Sequence, residues 1–346
     1  DLQSPYASAI INIETEVNNN SLTSQTCEVE QCLIDGEGKE VAKANALTIT
    51  LKSKETQGCK QQLTLANPHL WNTTDPYLYQ VKTTVKVGGK VTDVYETTTG
   101  IRDIAFDAEN GFLLNGKQVK LKGVNLHQDH AGVGAAIPEA LLEWRIKELK
   151  KIGCNAYRSS HNPMTPALLD ICDREGILVI DENRLTGINT EHFRLLEKMI
   201  RRDRNHPSII LWSGGNEEWG MENTIQGTRI AASMREYTRL IDPTRPSTIA
   251  NAGGVEMIKG LDVVGFNYIL QNDVENRKKA NPNWKIVGTE ETTGCGTRGV
   301  YFDSPDIPGH MRSMNLSADK DGTENRIERG WKFYAERPWA AGLFYW

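Results

Sequence analysis

From Phe112 to the last residue, short apolar runs recur eight times, mostly separated by stretches of helical pattern. The runs are Lys120–Asn125, Asn155–Arg158, Ile177–Ile180, Ser208–Trp212, Ser247–Ala250, Val263–Phe266, Lys285–Gly288 and Ala341–Tyr345. Between them, Pro138 to Ile152 carries Leu141, Leu142, Ile146 and Leu149 on one face, and Pro138 suits a helix start. Thr165 to Glu175 is helical and closes at Gly176, where a left-handed cap is cheap for glycine. Glu191 to Arg204 and Asn223 to Ile241 complete the helical pattern. Eight strand–helix units predict a (β/α)8 TIM barrel. An open doubly wound sheet would carry a glycine-rich phosphate loop after its first strand. Gly123-Val-Asn-Leu-His is not such a loop.

The first hundred residues obey a different period. Ser8-Ala-Ile-Ile-Asn-Ile-Glu, Thr26 to Ile34, Ala46 to Leu51, Gln62-Leu-Thr-Leu and Tyr79 to Val87 alternate apolar with polar residues and are rich in Thr and Val. Breaks fall at Asp35-Gly-Glu-Gly and Gly88-Gly89. Roughly seven short strands over this length is the pattern of an immunoglobulin-like β-sandwich. The expected organisation is multidomain: a sandwich over residues 1–102, then a TIM barrel over 103–346 that lacks its last helix.

Composition narrows the function classes. With 25% charged residues and a net charge of −5, nothing points to a nucleic-acid partner. No apolar run approaches the ~18 residues of a membrane span, so no membrane partner is expected, and no signal peptide is visible. The six cysteines, Cys27, Cys32, Cys59, Cys154, Cys172 and Cys295, fit neither a zinc pattern nor a CxxC pair. They read as thiols without a role, with a disulfide among the first three left open. Asn72-Thr73-Thr74 matches a glycosylation sequon, a pattern common by chance.

In a TIM barrel the chemistry sits where strands end. Those ends hold His127, Asp129 and His130; Arg158, His161 and Asn162; Asp181, Glu182 and Asn183; Asn216, Glu217 and Glu218; Asn267 and Tyr268; Glu290 and Glu291; and Trp346. The set is rich in carboxylates, amides and aromatics, with no cysteine and no metal cage. Cleaving a glycosidic bond requires two carboxyl groups flanking the anomeric carbon. Both candidate positions are doublets, Glu217-Glu218 and Glu290-Glu291. Adjacent side chains diverge, so one of each pair faces the barrel mouth, and the residues alone leave open which.

Longer motifs carry a family resemblance. Asn67-Pro-His-Leu-Trp, Pro76-Tyr-Leu-Tyr, Gly100-Ile-Arg, Gly111-Phe-Leu-Leu-Asn-Gly-Lys, Leu121-Lys-Gly-Val-Asn-Leu-His, Asn155-Ala-Tyr-Arg-Ser-Ser-His-Asn-Pro and Trp212-Ser-Gly-Gly-Asn-Glu occur in this order. The chain thereby resembles glycoside hydrolase family 2, which comprises β-galactosidases, β-glucuronidases and β-mannosidases. The resemblance implies Glu217, directly after Asn216, as acid/base, and Glu290, in Gly288-Thr289-Glu290, as nucleophile. It further implies that Tyr268 hydrogen-bonds the nucleophile and that Arg158 keeps it ionised. Asn216 would contact the sugar 2-hydroxyl, while His127, Asp129, His161 and Trp346 would line the sugar site. The implied mechanism is double displacement with retention, the carboxyl groups ~5–5.5 Å apart rather than the ~6.5–9.5 Å of an inverting pair.

His127-Gln-Asp-His with Gly132-Val-Gly-Ala-Ala-Ile-Pro is more similar to bacterial β-galactosidases than to mannosidases, and no Asn/Lys element for a glucuronide carboxylate is identified. The expected partner is a glycoside or oligosaccharide with a terminal β-galactoside. A β-glucuronidase and a non-catalytic carbohydrate-binding fragment are the alternatives. Some β-galactosidases hold magnesium through a Glu-Thr-His run after strand three, and here the chain reads Asp181-Glu-Asn-Arg-Leu-Thr-Gly. No metal and no cofactor is therefore expected. The family's preceding jelly-roll domain and the final barrel helix are missing, so the chain is expected to be a piece of a larger protein, weakly active or inactive alone. A periplasmic or secreted location is favoured over a cytoplasmic one, and assembly into a homo-oligomer stays open.

Overall fold

The computed structural model describes residues 2–3, 6–269, 272–291, 306 and 326–346. The chain divides into two compact units, Asp1–Asp103 with Asn205–Pro207, and Ile104–Arg204 with Ser208–Trp346.

The first unit is built from β1 (Leu2–Gln3), β2 (Ser8–Asn18), β3 (Gln25–Ile34), β4 (Glu40–Lys43), β5 (Leu47–Leu51), β6 (Thr56–Ala66), β7 (Tyr79–Val87) and β8 (Lys90–Thr99). One antiparallel sheet has the order β1-β2-β6; the other runs β4-β3-β7-β8, with β5 also paired to β3. Alternation decides which face turns inward. Val29 and Leu33 of β3 and Leu63 and Leu65 of β6 are buried. Gln31 is buried among them without loss, because its amide donates to Thr15 Oγ1 and its oxygen accepts from Thr83 Oγ1. Cys27, Cys32 and Cys59 are free thiols, as are Cys154 and Cys172 of the other unit; Cys295 lies outside the described residues. Strand β8 is not evident in the sequence. It is an edge strand exposed along most of its length, so neither face imposes an apolar alternation on it.

The second unit opens with a small sheet, β9 (Ile104–Asp107), β10 (Gly111–Leu114) and β11 (Lys117–Gln118), packed through β10 against the last barrel strand. Eight parallel strands then close a barrel in sequence order: β12 (Leu121–Leu126), β13 (Ala156–Ser159), β14 (Leu178–Glu182), β15 (Ile209–Asn216), β16 (Ser247–Asn251), β17 (Val264–Asn267), β18 (Ile286–Glu291) and β19 (Ala340–Tyr345). All eight predicted strands are present, and β19 pairs with β12 to complete the ring. The helices are α1 (Glu139–Lys151), α2 (Pro166–Glu175), α3 (Thr190–Asp203), α4 (Trp219–Glu222), α5 (Ile225–Ile241), α6 (Val274–Ala280) and α7 (Arg326–Ala335).

Local signals set their limits. Pro166 opens α2 and Gly176 closes it in the left-handed region, φ +70°. Asn189 caps α3 and Thr224 caps α5, each side chain accepting a backbone N–H of the first turn. Leu168, Leu169, Ile171, Met199 and Ile200 of the helices pack on Val179, Ile209 and Trp212 of the strands. Buried on both faces, Leu178–Ile180 and Ile209–Trp212 read as unbroken apolar runs. Among the described residues, no helix is long and apolar enough to cross a membrane.

Candidate active site

The C-terminal ends of the barrel strands converge on one guanidinium. Arg158, at the end of β13, is fully buried. Its Nε and Nη2 donate to Glu182 Oε2 at 2.9 and 2.6 Å. Nη1 donates to Glu290 Oε2 at 3.1 Å, to Asn125 Oδ1 at 2.9 Å and to the Thr289 carbonyl at 3.2 Å. Nη2 also donates to Asn216 Oδ1 at 2.8 Å. One cation thus sits between two buried carboxylates. Burial of this kind is tolerable only when nearly every hydrogen-bonding position is filled, and here five residues fill them.

Glu290 is almost fully buried. Its Oε1 accepts from the Tyr268 hydroxyl at 2.5 Å. Its Oε2 accepts from Arg158 and, at 3.4 Å, from Asn267 Nδ2. The neighbouring Glu291 turns the other way, where its Oε1 accepts from the Ile269 N–H and from the hydroxyl of Tyr334 on α7. The second doublet also separates. Glu217 Oε1 accepts from Asn267 Nδ2 at 2.8 Å and Oε2 accepts from Trp219 Nε1 at 3.3 Å. Glu218 uses its backbone carbonyl to start α4, accepting from Met221 and Glu222.

Asn267 joins the two halves. Its Oδ1 accepts from the Thr289 hydroxyl at 2.8 Å, which fixes the amide with Nδ2 toward the carboxylates. That Nδ2 meets Glu217 Oε1 at 2.8 Å, Glu290 Oε2 at 3.4 Å and Asn216 Oδ1 at 3.1 Å. A shared donor brings Glu217 Oε1 and Glu290 Oε2 within about 6 Å of each other. Glu217 and Tyr268 both lie in the left-handed region, at φ +51° and +58°. For residues with a Cβ this costs about 1–3 kcal/mol each and concentrates at functional sites.

An aromatic wall stands beside this pair. His161 Nδ1 lies 2.8 Å from Glu182 Oε1, and His161 Nε2 lies 4.0 Å from Glu290 Oε2. The Trp346 ring is 5.0 Å from that of His127 and 5.5 Å from that of His161. His127 Nδ1 is 3.1 Å from the Ser160 carbonyl. Asp129 is exposed, and its carboxylate bonds to none of these groups; only its carbonyl is engaged, by Arg145. Eight of the nine residues expected from the sequence therefore fall in one connected cluster.

Glu182 and Asn267 stood at strand ends without an assigned role, yet they are the hubs of the network. Asn125, Ser213 and Thr289 lie within strands and were not singled out. Ser213 donates its hydroxyl to Glu182 Oε2 at 2.8 Å. The signal for Glu182 was present: it ends a run, Leu178-Val-Ile-Asp-Glu, that is buried throughout, and a buried carboxylate demands a cation.

Comparison with known proteins agrees with this arrangement. The sequence model described as "Glycosyl hydrolases family 2, TIM barrel domain" matches residues 107–288, and "Glycosyl hydrolases family 2" matches residues 1–102. The β-galactosidase BoGH2A of Bacteroides ovatus is 34% identical over 340 residues, covering 85% of this chain and 40% of that protein. The β-glucuronidase of Sus scrofa is 32% identical over 255 residues, covering 68% of this chain and 37% of the relative. The crystal structure of a glycosyl hydrolase family 2 member from Bacteroides cellulosilyticus superposes with a TM-score of 0.81 at 33% identity, over 98% of this chain and 43% of that one. The chain thus spans well under half the length of these relatives. With both family models matched in order over most of its residues, the chain belongs to glycoside hydrolase family 2.

Proposed function

We propose that the chain carries the catalytic centre of a retaining β-glycosidase acting on terminal β-galactosides. The observation that supports the reading is Asn267 Nδ2, which holds Glu217 and Glu290 on one donor and brings one oxygen of each within about 6 Å of the other, a spacing in keeping with the close pair of a retaining enzyme. Glu290 acts as nucleophile. One of its oxygens bonds to the anomeric carbon as the bond to the leaving oxygen breaks, and Glu217 delivers its proton to that oxygen. In the second half, Glu217 takes a proton from water, the water oxygen bonds to the anomeric carbon, and the bond to Glu290 breaks. Arg158 and Tyr268 orient the nucleophile, one donor to each of its oxygens. Asn216 spends its Oδ1 on Arg158 and Asn267, and its Nδ2, which makes no hydrogen bond among the described residues, is the donor for the 2-hydroxyl.

A neutral sugar is favoured by the electrostatics. Among the described residues, Arg158, the cation beside Glu290, has its N–H groups committed to Glu182, Glu290, Asn125 and Asn216, and the rings grouped beside it are those of His127, His161 and Trp346. The second reading, a β-glucuronidase, draws support from relatives of that name. The test is labelling with a 2-deoxy-2-fluoro-β-galactosyl fluoride and with the matching glucuronyl reagent, followed by peptide mass spectrometry. A galactosyl adduct on Glu290, absent in Glu290→Gln, is expected. A glucuronyl adduct alone would replace the substrate assignment, and an adduct on another carboxylate would sink the mechanism.

A further inference from the structure

Trp219 stands out as a large apolar side chain that is 74% exposed and yet bonded to the reaction centre. Its indole Nε1 donates to Glu217 Oε2 at 3.3 Å. The other Glu217 oxygen, Oε1, faces Asn267 and through it Glu290. The two Glu217 oxygens therefore look in different directions, Oε1 toward the nucleophile and Oε2 toward the indole. The helix that carries Trp219 is a fixed base. Glu222, the last residue of α4, is buried, and its carboxylate accepts the N–H groups of Ala252, Gly253 and Gly254 at 2.8, 3.0 and 3.0 Å. The start of α4 is closed by the Glu218 carbonyl. An exposed tryptophan on a rigid support, with its polar edge tethered and its face open to solvent, is pre-organised to receive an apolar surface at little entropic cost.

We propose that Trp219 is the platform for the leaving group: the ring attached to the departing oxygen lies over the indole, and the substrates of this site are glycosides whose leaving group is itself a sugar or an aromatic ring. The inference rests on Glu217 as acid/base. The group that Glu217 protonates is bonded to the leaving oxygen and lies on the side of the scissile bond away from Glu290. Trp219 bounds that side. A pyranose presents an axial C–H face that stacks on indole, and the Nε1–H bond to Glu217 ties the platform to the proton donor, so occupancy of the platform and alignment of the donor come together. Trp144 is also exposed, on α1, but has no bond to the site, which marks the tether as the distinguishing feature.

The experiment is titration calorimetry in the full chain with non-hydrolysable thioglycosides. A thio-linked galactosyl disaccharide is compared with methyl β-thiogalactoside, and the glucuronyl pair is run in parallel. The second ring is expected to raise affinity about tenfold. Trp219→Ala should abolish that advantage, whereas Trp219→Phe, which keeps an aromatic face, should retain most of it. Trp219 is a surface residue, so loss of fold does not confuse the result. An advantage that survives in Trp219→Ala, or no advantage in the unsubstituted chain for either pair, overturns the proposal. The reading of Glu217 fails separately: Glu217→Gln would then hydrolyse methyl β-galactoside, whose leaving group needs a proton, at the full rate while the binding advantage stood.

Discussion

Glu182→Gln removes one negative charge from the centre of the network and changes almost nothing in shape. The carboxylate is fully buried and accepts from Arg158 Nε and Nη2 at 2.9 and 2.6 Å and from Ser213 at 2.8 Å, all on Oε2. Removing one partner of a buried ion pair costs about 3–5 kcal/mol, because the remaining charge stays in a medium that cannot solvate it. Two features place this case at the lower end. The amide oxygen still accepts from Arg158, and Glu290 remains as counter-ion on Nη1 at 3.1 Å. A loss of about 3 kcal/mol lowers the melting temperature by about 6–12 °C for a unit of this size. The same change alters the nucleophile. Arg158 now gives its whole charge to Glu290, so the attacking electron pair is held more tightly, and kcat should fall about tenfold, or about 1.4 kcal/mol in the barrier. The assays are calorimetric melting and the pre-steady-state burst of dinitrophenolate from a dinitrophenyl β-galactoside, whose leaving group needs no proton, so that the first step isolates Glu290. Ser213→Ala is the comparison, since it deletes one donor to the same carboxylate without changing its charge and should cost about 1.5–3 kcal/mol. A Glu182→Gln protein that melts with the parent and turns over within twofold of it would refute the idea that Arg158 is shared between two carboxylates.

Tyr268→Phe deletes the donor to Glu290 Oε1; a hydrogen bond to a charged group contributes about 1.5–3 kcal/mol to stability, so melting should fall by about 3–12 °C and kcat should drop with it, and a parent-like melt with a loss confined to KM would contradict it. Asp181 carries a carboxyl pushed up to about 8 by burial and then by the neighbouring charge of Asp203. A raised folded pKa means that its stabilisation is complete at acid pH and drains away as the pH rises from about 4 to about 8. Asp181→Asn, which cannot ionise, should therefore lose less melting temperature between pH 5 and pH 9 than the parent, and parallel curves would count against the assignment. Gly288→Ala would place a Cβ 2.0 Å from the Tyr334 hydroxyl. Overpacking there should cost about 1–3 kcal/mol, visible by calorimetry beside Gly58→Ala, whose Cβ meets nothing within 4 Å and which should melt with the parent.

The barrel was legible because its strands are buried on both faces. Leu178-Val-Ile and Ile209-Ile-Leu-Trp leave no polar face to confuse with a surface helix. Their ends were less legible, because backbone pairing carries β15 on through Ser213-Gly-Gly-Asn and β18 through Thr289-Glu-Glu, where hydropathy has already turned polar. The network was hidden for a related reason. The side chains of Glu182 and Asn267 bond no residue near them in sequence; their partners include Arg158, Ser213, Glu217 and Glu290, and only closure of the ring brings those together. Asp129, just past a strand end, bonds none of these groups through its carboxylate; its carbonyl accepts from Arg145.

The doublets explain themselves only in three dimensions. In a regular strand, successive side chains alternate between faces, so counting from a known inward residue would choose between Glu290 and Glu291. A Cβ on Gly288 would point at the Tyr334 hydroxyl, and Glu291 bonds that same hydroxyl. Residues 288 and 291 thus share a face, although they are an odd number apart. The alternation breaks between them, where the pairing of β18 with β19 shifts register. Register also shifts between Ser213 and Asn216 on β15, just before Glu217 at φ +51°, and between Phe266 and Asn267 on β17. Bulges re-aim side chains next to active sites. Here three of them direct Glu217, Asn267 and Glu290 at one another. The irregularity that defeats a count along the strand is the same irregularity that brings two carboxylates onto one amide.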